Sequence, residues 1–203
     1  MQAIIAGNKT MFRELIKEQP PHDFKTTEKT IQLHNNIFCN TGENYDFYFG
    51  VAPYRVGQKI FVKESFDYRE HYSIGNYDHY TAWKKRPASK MKQEDSRITL
   101  EITDVKVERL AEISKEDAIK EGATSRPNCH GYANRYEGWC MNWNKVGEAS
   151  KWASNRKTLS ESDVCMGSAQ YAFGNFWNAT HKKPEEKFEA NPFVWVVDFK
   201  INK

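Results

Sequence analysis

The stretch "GNKTMFRELIKEQPP", Gly7 to Pro21, places Lys9, Thr10, Arg13, Glu14 and Lys17 directly after a short apolar opening. Read as an extended segment, it alternates its side chains between two faces. Lys9 and Arg13 then share one face, and Thr10 and Glu14 share the other. Such a strand is either a solvated surface strand with an ion-pair cluster or the edge of a pocket that needs a cation and donors. Carboxylates that could answer them stand elsewhere. In "GQKIFVKESF", Glu64 falls on the same face as Ile60, Val62 and Phe66. A carboxylate among apolar neighbours is costly unless partnered. It needs a cation or donors, lines a wet pocket, or sits where the strand end turns to solvent. Lys63 beside it and Arg97 are counted with Thr10 as candidate ligand contacts. Glu121 falls in the last turn of a short helix, where the helix dipole disfavours an anion.

Several elements must position these groups. "MQAIIAG" has the form of a helix end stopped by Gly7, and the prolines of "EQPP" end the strand that follows. Residues 22 to 55 suggest loop with short strands. Residues 67 to 96 form a long polar insertion, rich in tyrosine and then basic through Lys84, Lys85, Arg86, Lys90 and Lys92. Aromatics interleaved with cations can stack bases and hold phosphates; a solvated loop is the alternative. "SRITLEITDVKVERL" is a long strand in which Ile98, Leu100 and Ile102 give way to Val105 and Val107. That flip of phase predicts a β-bulge near Thr103 and Asp104, and bulges bend strands towards barrels.

In "SKEDAIKEG", Ser114 and Asp117 match a capping box, and Gly122 ends a helix of about two turns. Residues 124 to 166 are a second insertion, carrying Trp139, Trp143 and Trp152. "SAQYAFGNFWNATH" is a helix with an apolar stripe of Ala169, Ala172, Phe173, Phe176 and Trp177. In the closing strand, Phe193, Trp195, Val197 and Phe199 share one face, and Val194 and Val196 the other. Such a strand is covered on both sides. The order predicts a small α+β domain, a mixed β-barrel with flanking short helices over residues 1 to 203, rather than a βαβ sheet.

Composition narrows the classes further. The 203 residues suit one domain, and a 14% aromatic share argues for folding over disorder. A net charge of +3 permits nucleic-acid binding without demanding it. No apolar run approaches the roughly 20 residues of a membrane span, so no membrane partner is expected. The opening is too short and lacks the basic start of a secretory signal, which suggests a cytoplasmic protein. Cys39, Cys129, Cys140 and Cys165 are scattered without a CxxC pair. They are expected to be free thiols, with no metal and no cofactor.

The set "GNKT" with Arg13, "YRVGQKIFVKESF", "SRITLEITDVKVERLAEISKEDAIKEGA" and "AFGNFWNATHKKPEEKFEANPFVWVVDF" resembles the ASCH family of the PUA-like superfamily, in particular its phage and prophage-borne members. The resemblance leaves out residues 22 to 50, 67 to 82 and 124 to 165. It implies a PUA-like β-barrel with a cleft beside a Gly-x-Lys motif, here Gly7 to Lys9. It also implies binding of RNA or of a modified nucleotide or nucleoside. One bacterial branch hydrolyses the acetyl amide of acetylcytidine with a lysine of that motif, a threonine three residues later and a glutamate of the following short helix. Carried over, the lysine is Lys9 and the glutamate Glu121, but the threonine position is Phe12, which has no hydroxyl. The chain also departs from the family at its start, because Met1 falls at the helix where relatives carry a preceding strand.

Three functions follow. The first is a module that binds RNA or a modified nucleotide through Lys9, Thr10, Arg13, Lys63, Glu64 and Arg97. The second is an amidohydrolase on an acylated nucleoside, using Lys9 and Glu121, with Phe12 against it. The third is a phage protein that binds a host factor through its insertions. A phage-encoded protein would act in the cytoplasm of its bacterial host.

Overall fold

The computed structural model describes residues 4, 7–19, 30–33, 37–41, 46–74, 78–127, 137–141 and 165–202. Its main sheet has four antiparallel strands: β1 (Met11–Leu15), β5 (Lys59–Phe61), β8 (Thr99–Arg109) and β11 (Phe193–Asn202), in the order β1-β11-β8-β5. Gly7 takes a φ of 75° and its amide donates to the Ile4 carbonyl, so the chain turns there before β1. Trp143, Trp152 and Cys129 lie outside the described residues.

The bulge falls where the change of phase puts it. Asp198 of β11 opposes Asp104, while the next residue, Phe199, opposes Ile102, which leaves Thr103 without a partner. The extra residue returns Val105 and Val107 to the face already held by Leu100 and Ile102. All four pack in one cluster with Phe193, Trp195, Val197 and Phe199 of β11. Phe12 and Ile60, from the two edge strands, pack on that same cluster, so the sheet curls around it as a half-barrel. Val194 and Val196 point to the opposite face. There they meet Ala169, Ala172, Phe173 and Trp177 of helix α2 (Ala169–Thr180), with Leu110, Ile113 and Ala118 around the short helix α1 (Lys115–Lys120). The closing strand is therefore central and buried on both faces, as its composition requires.

Smaller sheets surround this core. Residues 22 to 55 do contain short strands: β2 (Thr30–Leu33), β3 (Ile37–Thr41) and β4 (Asp46–Val51) pair in sequence. The first insertion is not a loop. β6 (Phe66–Ile74) and β7 (Asp78–Arg86) form a nine-residue-a-strand hairpin, with Phe66 opposite Arg86 and Ile74 opposite Asp78. In the second insertion, β9 (Thr124–Pro127) pairs with β10 (Glu137–Cys140).

Cys165 is disulfide-bonded, against the expectation of free thiols, and Cys140 is buried. Disulfides belong to oxidising settings more often than to the cytosol, so cysteine usage gives no support to a cytoplasmic location. No described helix is long and apolar enough to cross a membrane.

The half-barrel core sets a first prediction. Ile102 is 1% exposed beside the bulge, and Ile102→Ala should cost about 2–5 kcal/mol of unfolding free energy in urea titrations. Ile119→Ala, at a side chain on the surface of α1, should cost less than about 1 kcal/mol.

Candidate functional site

Two backbone hydrogen bonds bring the start of β1 to the end of α1. The Thr10 amide donates to the Lys120 carbonyl at 2.9 Å, and the Phe199 amide donates to the Thr10 carbonyl at 2.9 Å. α1 begins at Ser114, whose hydroxyl accepts from the Asp117 amide at 3.0 Å. It ends with Glu121 as its C-cap, after which Gly122 turns the chain at a φ of 109°. Thr10 thus fixes Lys9 against the C-terminal end of this helix through its backbone.

Alternation along β1 sends Lys9, Met11 and Arg13 to the helix side of the sheet. Lys9 Nζ donates to Glu121 Oε2 at 2.9 Å and to the Glu121 carbonyl at 3.1 Å. The ammonium so answers both the side chain and the carbonyl end of the helix. Arg13 Nη1 donates to Glu121 Oε1 at 3.2 Å and to Met11 Sδ at 3.3 Å. Its Nη2 donates to Glu108 Oε2 at 3.0 Å and stands 3.5 Å from Asp117 Oδ2. The guanidinium carbon lies 5.7 Å from the Phe173 ring centre. Glu121 is 2% exposed, so its charge is tolerated because each carboxylate oxygen holds a cation.

The expected pairing of Lys9 with Glu121 is present. Arg13 has a different place from the one expected of a ligand contact. Its side chain has no exposed surface and its Nε is buried without a hydrogen-bond partner. The strand face gave its direction, but α1 and α2 cover that face. Lys9 stays 22% exposed at the margin of the cluster. Glu108 and Asp117 complete the arrangement and were not singled out from sequence. Glu108 could have been, since it shares its face of β8 with Lys106, whose Nζ stands 2.6 Å from Glu108 Oε1. On the same side Lys120 lies 3.6 Å from Asp117 Oδ1 and 4.0 Å from Asp198 Oδ1.

The remaining candidates are elsewhere. β5 ends at Phe61, so Glu64 lies beyond the strand rather than on its apolar face. Arg97 grips it through Nε at 2.6 Å and Nη2 at 2.8 Å, and this hydrogen bonding holds the Glu64 carboxyl below its ordinary range. Arg97 itself is exposed, and Lys63 is exposed with Nζ 5.5 Å from the Phe61 ring centre. This pair is a surface fork apart from the Lys9 cluster.

Phe12 faces the half-barrel interior, away from Lys9, with ring centres 5.2 Å from Tyr54 and 6.0 Å from Phe199. The Tyr54 hydroxyl donates to Glu14 Oε2 at 2.9 Å. Burial and this carboxylate push the phenol up to about 12. Among the described residues, no group of histidine, cysteine and carboxylate side chains is arranged to hold a metal ion. Comparison of the chain with protein-family models, curated proteins and solved structures finds no match.

Arg13→Met leaves three carboxylates without their shared cation and should cost about 3–5 kcal/mol in urea unfolding. Arg97→Ala, at an exposed cation, should leave the urea unfolding midpoint nearly unchanged. Asp198 gives a pH dependence. Burial, against the pull of Lys120 and Lys106, raises its pKa above the ordinary value. The folded state therefore resists ionising it, a penalty fully present at neutral pH. Asp198→Asn should raise stability near pH 7. The advantage should shrink as pH falls through the raised folded pKa, and vanish below the unfolded value of about 3.9. Thermal unfolding at stepped pH reads this directly.

Proposed function

We propose that the chain is an ASCH-type protein with a PUA-like half-barrel that binds a modified nucleotide or RNA by a base edge at Lys9. The observation that carries this reading is the state of the Lys9 ammonium. It is partly exposed, held in place by a buried carboxylate, and spends two of its three donors on Glu121. The third donor remains for an acceptor on a ligand.

The charge around it selects the kind of acceptor. Lys9 and Arg13 face Glu108, Asp117 and Glu121, so the cluster carries more anion than cation before Lys106 and Lys120 at its rim are counted. A phosphate entering there meets carboxylates close by. A neutral oxygen, such as a base carbonyl or an acyl oxygen, does not suffer that repulsion. Recognition of unstacked bases by their edges is the usual way proteins read single-stranded RNA.

Hydrolysis of an acylated base is the second reading, favoured by the 2.9 Å contact between Lys9 Nζ and Glu121 Oε2. In that reading Lys9 polarises the acyl oxygen, and water supplies the nucleophile that Phe12 cannot.

Acetylcytidine and cytidine separate the two readings. Saturation-transfer NMR should detect acetylcytidine bound to the parent protein, with binding roughly tenfold weaker or more for Lys9→Ala. Mass spectrometry of the same mixtures should show no cytidine released. Release by the parent and not by Lys9→Ala would instead establish the hydrolase. Absence of both binding and release, in a protein whose unfolding transition is intact, would overturn the reading of this site.

A further inference from the structure

The base of the β6–β7 hairpin carries a charge pattern unlike the Lys9 cluster. Residues 66–70 and 83–95 hold six cations, Arg69, Lys84, Lys85, Arg86, Lys90 and Lys92, against four carboxylates, Asp67, Glu70, Glu94 and Asp95. That surplus of two is most of the net charge of the entire chain, +3. Lys84 pairs with Glu70 and Lys92 stands 3.5 Å from Glu94. Among the described residues no ion pair engages Lys85, Arg86 or Lys90, all of them exposed.

Aromatic rings are set among these cations by the strand register. Arg69 opposes Trp83, and its guanidinium carbon lies 4.7 Å from the Trp83 ring centre. Asp67 opposes Lys85 on the same face, and all four side chains are exposed. Trp83 is 64% exposed, an unusual position for the largest apolar side chain. On the other face Arg86 lies 3.8 Å over the half-buried Tyr68. The ribbon pairs with no other strand among the described residues.

We infer that this hairpin base binds single-stranded nucleic acid, with Trp83 as a stacking platform for a base and Lys85 and Lys90 as phosphate contacts. A flat ring open on one side accepts any base, and neighbouring cations follow the backbone. The inference deepens the reading above by making the ligand a polymer, yet it uses none of the residues around Lys9. A strand held here would leave the Lys9 cluster to meet a base edge without having to attract phosphate itself.

The test is fluorescence anisotropy with a labelled 20-nucleotide oligouridylate at several salt concentrations. The parent protein should bind at low salt, with log affinity falling against log salt at a slope of about −1.4 for two phosphate contacts on a single strand. Trp83→Ala should weaken binding at least about fivefold with the slope unchanged, and Trp83→Phe should restore most of it. Lys85→Ala should flatten the slope by about 0.7. Unlabelled acetylcytidine, the probe of the Lys9 site, should not displace the labelled oligomer, so failure here and failure at Lys9 are told apart. Three results would overturn the inference: no binding at low salt, binding indifferent to Trp83→Ala, or capture by phosphatidylglycerol vesicles in place of the oligomer.

Discussion

The burial of the Arg13 guanidinium constrains everything around it. A cation with no solvent contact must be met by anions, and those anions come from two separate elements: Glu108 from β8, and Asp117 and Glu121 from α1 and its end. α1 is only six residues long and could not hold its place by propensity. It is fixed by this network, by the Thr10 backbone link and by the apolar contacts of Ala118. Whether the network adds net stability over an apolar equivalent is a separate matter, since desolvation offsets much of its Coulomb energy. What it supplies is position. One Glu121 oxygen is committed to Arg13, so the other is aimed at Lys9.

That arrangement explains a local oddity. An anion at a helix C-terminus is ordinarily unfavourable. Glu121 occupies the place because Lys9 caps both its carboxylate and its carbonyl, which cancels the local field. The two cations on one face of β1 thus divide the work. Arg13 is buried and positions; Lys9 is at the margin and can meet a ligand. The hairpin base differs in kind, with exposed cations and rings.

The frame of the protein was legible where burial leaves a periodic trace. The β8 phase flip located the bulge to Thr103 and Asp104, because both flanking runs must reach one core. The double-faced apolar pattern of β11 located the central strand, and Ser114 with Gly122 bracketed α1. Other features were lost. In the hairpin Phe66, Tyr68, Tyr72 and Ile74 do alternate with Asp67, Arg69, His71 and Ser73, but Glu70 interrupts the run and the polar character of residues 67 to 96 hid it. The burial of Arg13 was hidden because parity fixes the face of a side chain and not what later covers that face. For Glu64 the need for a cation was legible and Arg97 meets it, beyond the end of the strand at Phe61.

The same alternation governs what Phe12 means. It has been natural to treat this position as a lost hydroxyl, one substitution away from a threonine beside Lys9. In this fold the ring instead packs with Tyr54 and Phe199 on the half-barrel side of β1, while Lys9 and Arg13 face the helices. A threonine here would place its hydroxyl in that interior and open a cavity where the ring had been. It would reach Glu121 only if the strand started later or twisted between Lys9 and residue 12. Phe12 is therefore part of the core that holds β1 in register, and the chemistry at Lys9 must be understood with Glu121, Arg13 and solvent as its partners.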